Sequence, residues 1–288
     1  MNDLQNKDKP SFWQCGRYCI DLSTPRIMGI VNMTPDSFSD GGNYNYNITA
    51  SLKHAEKLLK EGADILDIGG ESTRPGAKYI SAEEEWQRIQ PILTELRYWN
   101  IPISVDTRNS WVMQQLLQQQ LTDAINDIQA LEAEGAIDIL AQYPDIGICL
   151  MHMQGQPENM QTLPCYTDVV KEVGQYLSDR VQTCITAGIA KQRLVIDPGF
   201  GFGKSLSHNI ELMQKFHQWQ QYSDCPVLVG LSRKGSIGKL INEPNPQERI
   251  TGSVVAAIAA VARGAAIVRV HDVRETLQGL QVWAKLGV

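Results

Sequence analysis

A chain of 288 residues with 43% hydrophobic and 20% charged residues is long enough to bury one large core or two small ones, and its balance is that of a globular protein. Its formal net charge of −6 argues against nucleic acid or an anionic membrane as the main partner and leaves room only for a local basic site. The opening MNDLQNKDKPSFW lacks a signal-peptide core, and the longest strongly apolar run, Val254 to Ala262, falls far short of the ~20 residues of a membrane span, so a soluble, cytoplasmic protein is expected. Six cysteines at 15, 19, 149, 165, 184 and 225 form no C-x-x-C pair and sit near no histidine at metal-ligand spacing, which predicts reduced, structural thiols and no zinc site.

Trp13 to Leu22 alternates around Gly16-Arg17 and predicts a short hairpin. Arg26 to Asn32 is the first buried-strand pattern, and it runs into a polar, Gly- and Pro-bearing loop over 33–42. A helix is predicted over 48–61, then a strand over Ile65 to Ile68 that opens into GGESTRPGA. The unit repeats: helix 82–100, strand 103–106, helix 110–119, strand 124–127, helix 134–142, strand 146–151, a long polar loop 152–164 and helix 168–187. The sixth strand is Leu194 to Asp197, the seventh Val227 to Leu231 and the eighth Ile267 to Val270, with helices over 246–263 and 272–286. Eight buried strands alternating with helices predict a (β/α)8 barrel: one domain over 1–288 with a short N-terminal hairpin and a flexible tail over 1–12.

The stretch LVIDPGFGFGKSLSHN, 194–209, ends a buried strand on a carboxylate, Asp197, and then runs through Pro198, Gly199, Gly201 and Gly203 into a helix that Ser207 is placed to cap. A carboxylate facing a glycine floor suits a flat heterocycle with N–H donors, whereas the plainer reading is a helix cap or a salt-bridge partner. Gly203-Lys204-Ser205 imitates the end of a phosphate-binding P-loop, but Pro198 stands where its first glycine belongs.

In a barrel of this kind the strands deliver the site at their carboxyl ends. There the chain offers Asn32; the loop 71–76; Asp106; Asn126 and Asp127; Met151 and His152; Asp197; Ser232, Arg233 and Lys234; Arg269 and His271. Asp106, Asn126, Asp197 and Lys234 match the donor and acceptor edge of a heterocycle, and Arg269 and His271 match phosphate oxygens, so a ring with a phosphate tail is the expected substrate. No nucleophile with an adjacent base and no paired hydrolase carboxylates stand out, which leaves positioning and charge stabilisation as the source of catalysis.

MGIVNMTPDSFSDGG, DIGGESTRPGA, SVDTR, INDI, LMHMQG, IDPGFGFGKSLSHN, GLSRKGSIG and VRVHDV together resemble, in order and over about residues 26–276, the motifs of the dihydropteroate synthase family. The resemblance implies a pterin-binding barrel that condenses 6-hydroxymethyl-7,8-dihydropterin diphosphate with 4-aminobenzoate, giving 7,8-dihydropteroate and diphosphate by an SN1-type substitution. Carried onto this sequence, it assigns the pterin to Asp106, Asn126, Met151, Asp197, Phe202 and Lys234, and the diphosphate to Asn32, Arg269 and His271. Asn32 would also meet Mg2+, and Thr73, Arg74, Pro75 and Ser232 would border the aminobenzoate. Asp106, Lys234, Arg269 and His271 would carry the catalysis, with Arg269 and His271 both cationic. The resemblance also implies a homodimer and a target of sulfonamides, which mimic aminobenzoate. Gln129, where many members have a basic or small residue, is expected to matter little. Two alternatives are a methyltetrahydrofolate-to-corrinoid methyltransferase, which would not need the ESTRPGA and SRKG loops, and a non-catalytic subunit on the same barrel. A P-loop kinase fails on the spacing noted above.

Overall fold

A computed structural model describes residues 12–34, 48–74, 76–162 and 164–287. The expected tail apart from Phe12, the loop 33–42 beyond Thr34, and Pro75 lie outside the described residues. The chain enters through the hairpin β1 (Phe12–Cys15) and β2 (Tyr18–Asp21) and then alternates: β3 (Arg26–Asn32), α1 (Ile48–Lys60), β4 (Ile65–Gly69), α2 (Ala82–Leu96), β5 (Ile103–Asp106), α3 (Ser110–Gln118). It continues through β6 (Ala124–Asp127), α4 (Ala136–Ala141), β7 (Gly147–Met151), α5 (Val169–Thr186), β8 (Leu194–Asp197), α6 (Leu206–Gln214) and α7 (Phe216–Gln220). The last elements are β9 (Leu228–Val229), α8 (Gly235–Ile241), α9 (Ile250–Val261), β10 (Ile267–Val270) and α10 (Val273–Leu286).

The eight parallel strands pair in the order β8-β7-β6-β5-β4-β3-β10-β9, and a parallel bridge between Ile196 and Val227 joins the two ends of that series. This is the expected (β/α)8 barrel with its N-terminal hairpin. Helices start where the sequence supplies caps: Ser81 accepts the Glu84 N–H at the head of α2, Asn109 accepts two N–H groups at α3, and Asp168 does the same at α5. Their apolar faces join the outward-facing strand residues in one large core between sheet and helices.

The barrel interior has its own lower layer, in which Met28, Ile65, Ala124, Cys149, Val195, Leu228 and Ile267 are all fully buried with Trp13 of the hairpin. Trp13 plugs the amino-terminal mouth: its Nε1 donates to the Arg193 carbonyl at 2.8 Å, and a Cβ on Gly147 would fall 2.9 Å from the indole. Arg17, in the hairpin turn, grips Asp123 with Nε and Nη2, each at 3.0 Å.

Several expected boundaries shift for local reasons. The seventh strand keeps only Leu228–Val229, because the chain turns away through Gly230 to Arg233, which sits at φ 58°. The helix expected over 246–263 divides into a 3-10 turn, Pro246–Glu248, and α9, because Arg249 leaves the helix to donate to the carbonyls of Glu243, Arg233 and Pro244. The helix expected to 100 stops at Leu96 in a turn. The cap of α6 is Ser205 and not Ser207: Ser205 Oγ accepts the His208 N–H at 3.1 Å and His208 Nδ1 accepts the Ser205 N–H, a reciprocal box that Ser207, already inside the helix, is not placed to make.

Candidate active site

Two residues beyond the apolar layer, the same strands become polar. Asp67 on β4, Asp106 on β5, Asn126 on β6, Asp197 on β8 and Arg269 on β10 follow Ile65, Ser104, Ala124, Val195 and Ile267 at strand spacing, so they face the same interior. Arg269 ties the set together: its Nε donates to Asp67 Oδ2 at 2.6 Å and its Nη2 to Asp106 Oδ2 at 2.9 Å, while Asn126 Nδ2 donates to Asp67 Oδ2 at 3.3 Å. Burial alone would pull the Arg269 pKa down, but the two carboxylates outweigh it and hold the group cationic, above its ordinary value. Burial pushes Asp106 up to about 7; Arg269 opposes the rise, and Asp67, Glu71 and Asp127 add to it.

Asp197, 5% exposed, turns one oxygen back to the loop, where Oδ1 accepts the Gly199 N–H at 2.7 Å. Oδ2 has no partner among the described residues. Burial raises this carboxyl, and Lys234, the loop amide and Lys204 pull it back down. Gly199 adopts φ 66°, and a Cβ there would meet the His152 carbonyl oxygen at 1.9 Å, so the floor requires glycine at this point. Lys234 lies across that floor: its Nζ donates to the Phe200 carbonyl at 2.5 Å and stands 4.3 Å from the Phe202 ring centroid. Burial lowers its pKa to about 8 against the opposing pull of Asp197. Phe202 and Met151 pack with Ile128 and Met160 into a small apolar wall beside this floor.

The P-loop imitation is resolved by Lys204, which is buried beneath the floor and donates to the carbonyls of His152, Gly199 and Phe202 and to His152 Nδ1 at 2.8 Å. It is a strut between two loops, with its ammonium taken up by protein acceptors. His152 is thereby a structural residue, as is Asp127, whose oxygens cap the Gln129 and Leu131 N–H groups at 2.8 Å. Arg233 is likewise occupied, by a two-point pair with Asp272.

At the rim, Ser232 Oγ accepts the His271 N–H at 3.1 Å and pairs with His271 Nδ1 at the same distance. His271 was expected as a cation; burial, then Arg269, Arg233, Arg74 and His54, depress its pKa to about 3, so the imidazole is neutral and acts as a hydrogen-bond partner. Asn32 and Asp106 flank Gly69, where a Cβ would lie 3.8 Å from Asn32 Oδ1 and 3.9 Å from Asp106 Oδ2. Thr73 is half-buried and Arg74 exposed in the loop after β4, and neither side chain has a hydrogen-bond partner among the described residues. The same loop is anchored at other points: Gly76 donates to the Pro157 carbonyl at 3.0 Å, Tyr79 to Glu158, and Glu71 forms a two-point pair with Arg108. Gln129 is part of the same rim, because it and Arg108 both donate to Gln156 Oε1.

Two residues of consequence, Asp67 and Glu85, are not among the site candidates named from the sequence, although Asp67 opens the motif DIGGESTRPGA. Asp67 carried a usable signal: it is a carboxylate inside the buried run ILDIG, in phase with Ile65 and Gly69, and a charge there requires a partner. Glu85, 3% exposed on α2 and pushed by burial up to about 8, carried none, since its helix face depends on how α2 docks under Gly70.

The sequence pattern of the pterin binding enzymes matches residues 28–271. The dihydropteroate synthase of Neisseria meningitidis serogroup B is 57% identical over 278 residues, covering 96% of this chain and 98% of the relative. The structure of Xanthomonas albilineans dihydropteroate synthase with 4-aminobenzoic acid superposes with a TM-score of 0.89 at 44% identity, covering 96% of this chain and 98% of the other. That of the Yersinia pestis dihydropteroate synthase in a sulfonamide drug complex superposes at 0.88 and 43%, with the same coverage.

Proposed function

This chain belongs to the pterin-binding enzymes, and from that premise we infer that it is a dihydropteroate synthase, a transferase of folate synthesis. It condenses 6-hydroxymethyl-7,8-dihydropterin diphosphate with 4-aminobenzoate to give 7,8-dihydropteroate and diphosphate, and sulfonamides compete with the aminobenzoate. The observation that carries the reading is the upper barrel layer, where Asp106, Asn126 and Asp197 open beside a glycine floor with Lys234 above it and Arg269 alongside.

The free oxygen of Asp197 and the amide of Asn126 suit the donor and acceptor edge of the pterin, with Met151 and Phe202 against the ring face. The bond from the pterin methylene to the diphosphate oxygen breaks, and its electron pair leaves with the diphosphate. The cation left on the methylene is delocalised into the ring, where the ionised Asp106 carboxylate stabilises it in a site largely closed to water. Arg269 and a neutral, donating His271 hold the departing oxygens. The aminobenzoate nitrogen then forms the new C–N bond and gives up one proton to water. Thr73, Arg74, Pro75 and Ser232 border the place from which it approaches.

Asn32 supplies a neutral, hard oxygen donor beside Asp106, and the described residues contain no cluster of three or more His, Cys, Asp or Glu side chains able to hold a metal. That sparse donor set fits Mg2+, which keeps most of its ligands as water and substrate phosphate and would rest on Asn32. When bound, it neutralises charge on the leaving diphosphate.

The whole of 1–288 acts as one cytoplasmic domain in this reading; among the described residues no helix is long and apolar enough to cross a membrane. Exposed Leu240 and Ile241 on α8, Val255 on α9 and Val282 on α10 lie on helices packed side by side and favour a homodimer through that face. The deciding experiment is incubation with dihydropterin diphosphate, aminobenzoate and Mg2+, followed by chromatographic detection of dihydropteroate. Absence of product under those conditions overturns the assignment.

A further inference from the structure

Asp67 has no exposed surface and stands in the middle of β4, two residues short of its carboxyl end. Its Oδ2 accepts both the Arg269 Nε at 2.6 Å and the Asn126 Nδ2 at 3.3 Å, while its Oδ1 has no hydrogen-bond partner among the described residues. Arg269 therefore meets two different acids on one edge, Asp67 through Nε and Asp106 through Nη2, from the adjacent strands β4 and β5. Charge balance alone does not require two acids, since one ionised carboxylate suffices to neutralise the guanidinium. What the second acid adds is orientation: two fixed nitrogens set the plane of the group, and its Nη1 is left without a partner among the described residues. The same oxygen sets the amide of Asn126, so one buried carboxylate aims two side chains on opposite sides of the pocket.

We propose that Asp67 is a positioning residue of the condensation, fixing Arg269 and Asn126 for the pterin diphosphate without touching the substrate itself. This rests on the synthase reading. It has a second consequence. Asp106 is faced by Asp67 on β4, Glu71 in the following loop, Glu85 on α2, Asp127 on β6, Lys234 after β9 and Arg269 on β10, and among these Asp67 is a like charge that keeps it protonated to higher pH.

The test is steady-state kinetics of full-length Asp67→Asn with both substrates and Mg2+. We expect kcat/KM for the pterin diphosphate to fall about tenfold, the worth of one charge-assisted hydrogen bond, with the KM for aminobenzoate changed by less than about twofold. The acidic limb of the pH profile moves to lower pH, because the like charge is gone and Arg269 is released toward Asp106. In an Arg269→Lys background, which lacks the Nε donor, the same substitution costs less than about twofold. Ser104→Ala is the control: Ser104 is the register partner of Asp67, equally buried and with its hydroxyl unpartnered among the described residues, and its loss leaves rate and profile unchanged. Wild-type kinetics in Asp67→Asn, a stationary acidic limb, or equal losses in both backgrounds overturns the proposal. Should Asp67→Asn not fold, Asp67→Ser carries the same expectations, and failure of both to fold assigns Asp67 a purely structural role. Absence of product from the wild-type enzyme in the same assay overturns the synthase reading and this inference with it, whereas product from the wild type with an indifferent Asp67→Asn removes the inference alone.

Discussion

The two layers inside the barrel are made by the same strands two residues apart, and they differ in almost everything else. Ile65, Ala124, Val195 and Ile267 close the lower layer around Trp13 by shape alone, while Asp67, Asn126, Asp197 and Arg269 fill the upper layer with charge and hydrogen bonds. The lower layer is apolar but for the Ser104 hydroxyl and needs no ligand to pack. The upper one is left unsatisfied, since Asp197 keeps an oxygen unpaired, Lys234 rests on a carbonyl and Asp67 has an orphaned oxygen. Stability and chemistry are thus stacked along one strand direction, and substitutions in the two layers should separate cleanly.

Trp13→Ala removes the largest side chain of the lower layer and should cost about 3–5 kcal/mol of unfolding free energy, with kcat at low temperature unchanged. Chemical denaturation read beside turnover checks this, and a large loss of kcat in folded protein would break the separation. Asp197→Asn should do the opposite, leaving the unfolding transition in place and weakening pterin by roughly 100-fold or more, because an amide donor then opposes a ring N–H in a buried site. Undiminished affinity in calorimetric titration would remove Asp197 from the pocket.

Alanine at Arg269 or His271 should weaken the diphosphate substrate roughly tenfold or more while affecting bare hydroxymethyl pterin far less. Equal losses for both ligands would place these side chains away from the diphosphate. The pH profile of kcat/KM should be bell-shaped, falling below about 7 as Asp106 is protonated and above about 8 as Lys234 loses its proton. Replacing Asp106 by Asn should erase the acidic limb, and a limb that survives belongs to another group. The smallest effect concerns order of addition. The Thr73 and Arg74 side chains have no hydrogen-bond partners among the described residues although their loop is anchored further along at Gly76 and Tyr79, so aminobenzoate should bind measurably better once Mg2+ and diphosphate are present. Equal affinity with and without diphosphate would refute ordered binding.

Strand number, helix alternation and the positions at strand ends were legible in the sequence because a parallel barrel writes each buried strand as a short apolar run ending in a polar residue. What the sequence did not reveal was the direction of individual side chains. His152 and Arg233 stand at the right ends of the right strands, yet each is engaged by a partner distant in sequence, Lys204 and Asp272, while Asp127 turns to cap the amides of Gln129 and Leu131 in the loop just after it. The neutral state of His271 likewise comes first from its burial and then from Arg269, Arg233 and Arg74 around it, which no local spacing encodes. Asp67 escaped notice because attention to strand ends passes over a strand interior.

The plug at the amino-terminal mouth sets a schedule for making the molecule. Trp13 is bonded to a carbonyl 180 residues further along and Arg17 to a carboxylate 106 residues further along. On the ribosome the hairpin emerges ahead of the barrel strands, its Arg17 lacks its carboxylate partner until Asp123 is made, and its indole lacks its carbonyl acceptor until Arg193 has left the exit tunnel. Contacts this distant in sequence also slow the search for the native state in refolding from denaturant. The hairpin is therefore made before every barrel strand and is among the last elements to find its place.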